Sequence, residues 1–106
     1  MDKAAVLNAI RDFRAALEAQ GVRPARIILY GSYARGDWKE WSDIDLVVIS
    51  QDFAGKSFWQ RTDLLVDAIC KVRQPIEAVA MTPEEWDSGE SIITRFAEGG
   101  EIAYQA

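Results

Sequence analysis

Apolar residues near the start of the chain recur at helical spacing: Val6, Leu7, Ile10, Phe13 and Leu17 fall on one stripe. The pattern predicts an amphipathic helix, with Asp2 as its cap and Gly21 at its end. The period then shortens. "RIILY", residues 26–30, reads as a buried strand. "DIDLVVIS", residues 43–50, reads as a second strand, rich in β-branched residues. Between them "GSYARGDWKEWS" reads as a turn, a short helical stretch that Ser32 can cap, and a loop. Helical spacing returns over residues 57–73, with Phe58, Leu65, Ile69 and Val72 on one stripe. "PIEAVAM", residues 75–81, predicts a third strand, with Pro75 at its start, where a missing donor is tolerated. In "TPEEW", Thr82, Pro83 and Glu85 form a capping-box helix start. "SIITRFAEGG" predicts a last helical turn or two, and "EIAY" a short edge strand. The order of elements predicts an α+β (α/β layered) fold: a small mixed sheet of about three to four strands flanked by helices.

Composition narrows the chemistry. The chain has 106 residues, a length suited to one core. It contains no His, which excludes His-ligated zinc and Ser-His or Cys-His catalysis. Its one cysteine, Cys70, cannot form an intrachain disulfide, so a reducing, cytoplasmic location is expected, and Cys70 itself reads as an inert core thiol. The net charge of -5 argues against direct binding to a nucleic-acid backbone. The N-terminus lacks the pattern of a signal peptide, and no run approaches a membrane span. An anionic ligand held through a metal stays open.

Side chains alternate along a strand, so Asp43 and Asp45 share a face with Val47 and Ile49, while Ile44, Leu46 and Val48 take the other. Carboxylates two residues apart stand roughly 6.5–7 Å apart at the backbone and can converge on one hard cation or bridge two. Two like charges where a strand enters the core are costly without one. Gly31 lets the backbone turn sharply and approach a ligand, and the following amides with the Ser32 hydroxyl can hold a phosphate. A glycine-serine pair alone is more often an ordinary strand-to-helix turn. The informative feature is the combination: Gly-Ser, ten residues, then Asp-x-Asp.

"GSYARGDWKEWSDIDLVV" resembles the signature of the minimal nucleotidyltransferases of the DNA polymerase β-like superfamily, and the resemblance spans about residues 26–81. It implies one minimal nucleotidyltransferase domain over residues 1–106, acting by transfer of a nucleotidyl group, commonly AMP from ATP, to a hydroxyl. It implies two Mg²⁺ ions, with Mn²⁺ as a possible substitute, held by Asp43, Asp45 and a third carboxylate from a later strand. Glu77 stands where that carboxylate is expected, and the family often has Asp there. Gly31 and Ser32 would then bind the triphosphate. Arg35 either assists the phosphates or pairs with a surface acid. Trp38 and Trp41 flank the motif loop, and packing at the core rim is favoured over stacking on a base or meeting a partner. Tyr33 reads as a base platform or plain surface. Single-domain members resemble the antitoxins of HEPN/MNT toxin–antitoxin modules, which implies a HEPN-type ribonuclease toxin as partner and its tyrosine as acceptor. Transfer to a small-molecule hydroxyl and a non-catalytic partner-binding module are the alternatives.

Overall fold

The computed structural model describes residues 1–106. Its elements run α1 (Lys3–Ala19), β1 (Arg26–Tyr30), α2 (Ser32–Arg35), β2 (Ile44–Ile49), a 3₁₀ turn (Gln51–Phe53), α3 (Phe58–Val72), β3 (Ile76–Met81), α4 (Pro83–Ser88), α5 (Ile92–Ala97) and β4 (Glu101–Gln105). The strands form one mixed sheet in the order β3-β2-β1-β4. β1 pairs antiparallel with both β2 and β4, and β2 pairs parallel with β3. A parallel neighbour needs a crossover, and α3 supplies it. The expected α+β fold with a small mixed sheet is what forms.

The two sheet faces are covered unequally. Ile27, Leu29, Ile44, Leu46 and Val48 pack against α1 through Val6, Ile10, Phe13 and Leu17, and against α3 through Leu65 and Ala68. On the other face Ile28, Val47, Ile49 and Met81 pack against Ala97 of α5, with Trp86 of α4 and Ile93 at the margin. Only the short helices α4 and α5 lie here, and they cover one end. The other end of this face holds the acids of the Asp-x-Asp motif.

Several local expectations change. Leu7 and Phe58 lie on their predicted stripes but are exposed: Leu7 sits at the edge of the buried arc of α1, and Phe58 is the first residue of α3, about two turns before the buried Leu65. Cys70 is exposed rather than in the core. Its helix packs on the sheet through Leu65 and Ala68, and Cys70 lies off that line. Tyr33 is neither a platform nor surface: its ring is 1 % exposed and belongs to the main core. Gly31, not Ser32, is the N-cap of α2, and Ser32 is its first residue. The capping box at Thr82 and Glu85 forms as the sequence predicts.

Candidate active site

Three neighbouring strand ends build the site. Tyr30 at the end of β1 faces Asp45 of β2, and Asp45 in turn faces Glu77 of β3. The three residues therefore stand in one row on the less covered sheet face. β2 carries apolar residues before and after Asp45 on the opposite face, and that burial locks the strand's register. Glu77 reaches the row because the parallel pairing of β2 and β3 sets Ile44 against Ile76 in the core. Asp43 lies just outside β2 and is exposed.

Proximity of the acids has a measurable consequence. The Asp45 carboxyl is pushed up to about 6. Burial is the main cause, followed by a hydrogen bond shared with the Glu77 carboxyl and by the charges of Glu77 and Asp43; the Arg35 guanidinium opposes them. The Tyr30 phenol is also raised, by burial and then by Asp45 and Glu77. Tyr30 is the member of the row that the sequence reading missed. Its signal was present: it ends an apolar strand one residue before Gly31, at the level where an antiparallel neighbour must bring a motif aspartate.

Gly31 follows with φ 74° and ψ −153°, a conformation open to glycine. A Cβ at this position would collide with Asp45 Oδ2 and stand 3.1 Å from its Cγ. The missing side chain is thus what allows the turn to lie directly against the carboxylate. Ser32 then opens α2, whose left-handed Gly36 ends it. Arg35 makes a solvent-exposed contact with Asp37, 3.3 Å from Nε to Oδ2, and still acts on Asp45. The surface pairing expected for Arg35 is therefore present. Lys39 and Ser42 close the loop through a 2.8 Å hydrogen bond from the Lys39 amide to Ser42 Oγ. Trp38 stacks on the buried Tyr33 ring, centroids 5.4 Å apart, and packs against the core. Trp41 is 80 % exposed at the loop tip.

The donor set suits a hard cation: three carboxylates, no thiolate or imidazole, and a raised Asp45 that a cation would relieve. The three acids are not already gathered into a ready-made ligand cluster. Asp45 and Glu77 are paired, whereas exposed Asp43 would have to turn toward them. A cavity of about 540 Å³ lies elsewhere, between α3 and β3.

With this geometry established, similarity to known proteins is informative. The model of the nucleotidyltransferase domain family matches residues 10–94. A protein of Methanocaldococcus jannaschii described as "putative protein adenylyltransferase" is 50% identical over 43 residues. That match spans 40% of this chain and 43% of the relative's length. A crystal structure of a "putative nucleotidyltransferase" from Sulfolobus solfataricus superposes with a TM-score of 0.74 at 15% identity, covering 97% of this chain and 83% of that one. A structure described as "toxin-antitoxin with AMP-PNP" superposes with a TM-score of 0.65 at 20% identity, covering 94% of this chain and 73% of that one. The family match runs from within α1 to α5 and takes in the Gly-Ser turn, the Asp-x-Asp strand and the row they build: the chain belongs to the nucleotidyltransferase domain family.

Proposed function

We propose that the protein is a Mg²⁺-dependent nucleotidyltransferase that moves AMP from ATP to a hydroxyl of a partner protein, a tyrosine of a HEPN-type toxin, and so acts as an antitoxin. The observation that carries this reading is the Asp45–Glu77 pair, with Asp43 at the strand start and Gly31 packed on Asp45. Family membership supports nucleotidyl transfer. The name of the archaeal relative supports a protein acceptor, and the likeness to a toxin–antitoxin structure containing AMP-PNP is consistent with the antitoxin role.

Asp43 and Asp45 would hold the ion that accompanies the triphosphate. Glu77, with Asp45, faces the acceptor hydroxyl and takes its proton at a carboxylate oxygen. Gly31 and Ser32 receive the β- and γ-phosphates at the adjacent strand end, and Arg35 adds positive charge nearby. Mg²⁺, where bound, would supply charge neutralisation at the phosphates.

The test uses labelled ATP, Mg²⁺ and the product of a neighbouring gene for a small helical protein. Label should appear on that partner with the natural protein and be lost with Asp43→Ala/Asp45→Ala. Undiminished transfer by the double variant would show that the catalytic assignment is wrong.

A further inference from the structure

The two edges of the sheet are built differently. β4 is guarded in the ways that prevent strands from pairing with strangers. A register shift interrupts its ladder between Ile27 and Ile28. Lys3 Nζ contacts Glu101 Oε1 at 2.9 Å, and the Arg14 guanidinium lies over the Tyr104 ring at 4.2 Å. β3 has no bulge and no ion pair or cation–ring contact across it, and its one charge is Glu77. β2 is its only paired neighbour, so its outer backbone groups face outward along "IEAVAM". Pro75 precedes the strand, and no proline, lysine or bulge interrupts it.

Behind this open edge lies the 540 Å³ groove, walled by Ala78 and Ala80 of β3 and by Phe58, Leu65, Val66 and Ile69 of α3. Phe58 is 70% exposed and Val66 49%. Lys56 stands at the groove, its Nζ bonded only to the Asp52 carbonyl, whereas Arg61 is matched by Glu85 at 2.6 Å. The open edge is also the strand that carries Glu77.

Resting on the nucleotidyltransferase reading above, we propose that β3 and the groove behind it receive an extended segment of the acceptor protein as a fifth strand. Strands neighbour each other at about 4.8 Å. A residue paired with Glu77 would therefore extend the row Tyr30–Asp45–Glu77 by one place and set its side chain beside the Glu77 carboxylate. Main-chain hydrogen bonds supply affinity and alternate side chains supply selectivity, as in other cases of strand addition. The hydroxyl residue points to the catalytic face. The residues one and three places away on the side that pairs with Ala78 and Ala80 point to the opposite face, into the α3 groove, and are apolar. An acidic residue near one end meets Lys56. In the transfer, the acceptor oxygen forms a bond to the α-phosphorus as the bond to the bridging oxygen of pyrophosphate breaks. The hydroxyl proton passes to Glu77.

The probe is a peptide library with one fixed tyrosine and randomised flanks, incubated with the protein and Mg-ATP. Modified peptides should be enriched in apolar residues one and three places from the tyrosine on one side. Val66→Asp and Phe58→Ser, both at exposed groove positions, should lower peptide modification by about tenfold while Mg-ATP binding, read by calorimetry, stays unchanged. With AMP-PNP bound, an enriched peptide should protect β3 amides from hydrogen exchange. Absence of flank preference, unaffected modification in both variants, or protection confined to other elements overturns the proposal. So does concentration-dependent protection of β3 without peptide, which would mean that a second copy fills the edge. No modification of any peptide while Mg-ATP binds also overturns strand delivery and leaves the catalytic reading standing. If Mg-ATP itself does not bind, both fall together.

Discussion

Asp45 shares its sheet face with Glu77 and the Tyr30 phenol, and the fold keeps it there against its electrostatic preference. A carboxyl raised to about 6 in the fold binds a proton that the unfolded chain, with its ordinary aspartate, releases earlier. Stability linked to this group is therefore present below about pH 4 and lost as pH rises through 6. Asp45→Asn should stabilise the metal-free protein at pH 7.5, and the gain should vanish near pH 3.5. Because the group is partly solvated, screening reduces the expected gain to about 1 kcal/mol. Urea denaturation of both proteins at the two pH values checks the sign and the window. Gly31 gives a second test. Gly31→Ala places a Cβ onto the Asp45 carboxylate in a backbone conformation that L-residues avoid. The cost should be about 2 kcal/mol, with Asp45 displaced. An alanine variant with unchanged stability and an unchanged Asp45 titration would contradict the close approach. At this scale the motif was legible from spacing, although the expected strand from residue 43 begins only at Ile44 and leaves Asp43 just outside it. Tyr33 was not legible: an aromatic in a four-residue helix has no periodicity to reveal that it points inward.

The elements explain how a short chain holds the row in register. β2 is anchored by Ile44, Leu46 and Val48 on one face and by Val47 and Ile49 on the other. α3 carries the chain across so that β3 lies parallel with Glu77 at the level of Asp45. Immediately after β3, the box formed by the Thr82 hydroxyl and the Glu85 carboxylate fixes the start of α4, and the Arg61–Glu85 contact ties α4 to α3. Arg61 holds the Glu85 carboxyl below the usual carboxylate range. Thr82→Ala should cost about 1 kcal/mol in chemical denaturation without altering nucleotide binding. The caps at Asp2 and Thr82, strand composition and the long helices were readable, since each rests on local backbone chemistry, whereas the cap of the four-residue α2 was placed one residue late. The stripes overreached at Leu7 and Phe58, and Cys70 was misplaced, because periodicity defines a helix face but neither how wide an arc nor how much of the helix's length the sheet covers. The pairing of β2 with β3 lies beyond any local signal. Glu77 entered through resemblance, and only the assembled sheet sets it opposite Asp45.

Across the whole molecule, one sheet face is closed by two long helices and the other is left partly open by two short ones. The row of Tyr30, Asp45 and Glu77 occupies the open part and runs out to the unguarded edge of the sheet. The chain carries a net charge of -5, so a polyanionic nucleotide is expected to need a cation to approach these acids. No helix is long and apolar enough to cross a membrane. The central claim is that the carboxylate row binds a metal–nucleotide complex. Calorimetric titration of ATP into the natural protein and into Asp45→Asn, each with and without Mg²⁺, tests it most directly. Binding should require Mg²⁺ in the natural protein and weaken at least about tenfold in the variant, a loss that outer-shell changes at metal sites already reach. Equal affinity in both proteins, or binding indifferent to Mg²⁺, would contradict the account.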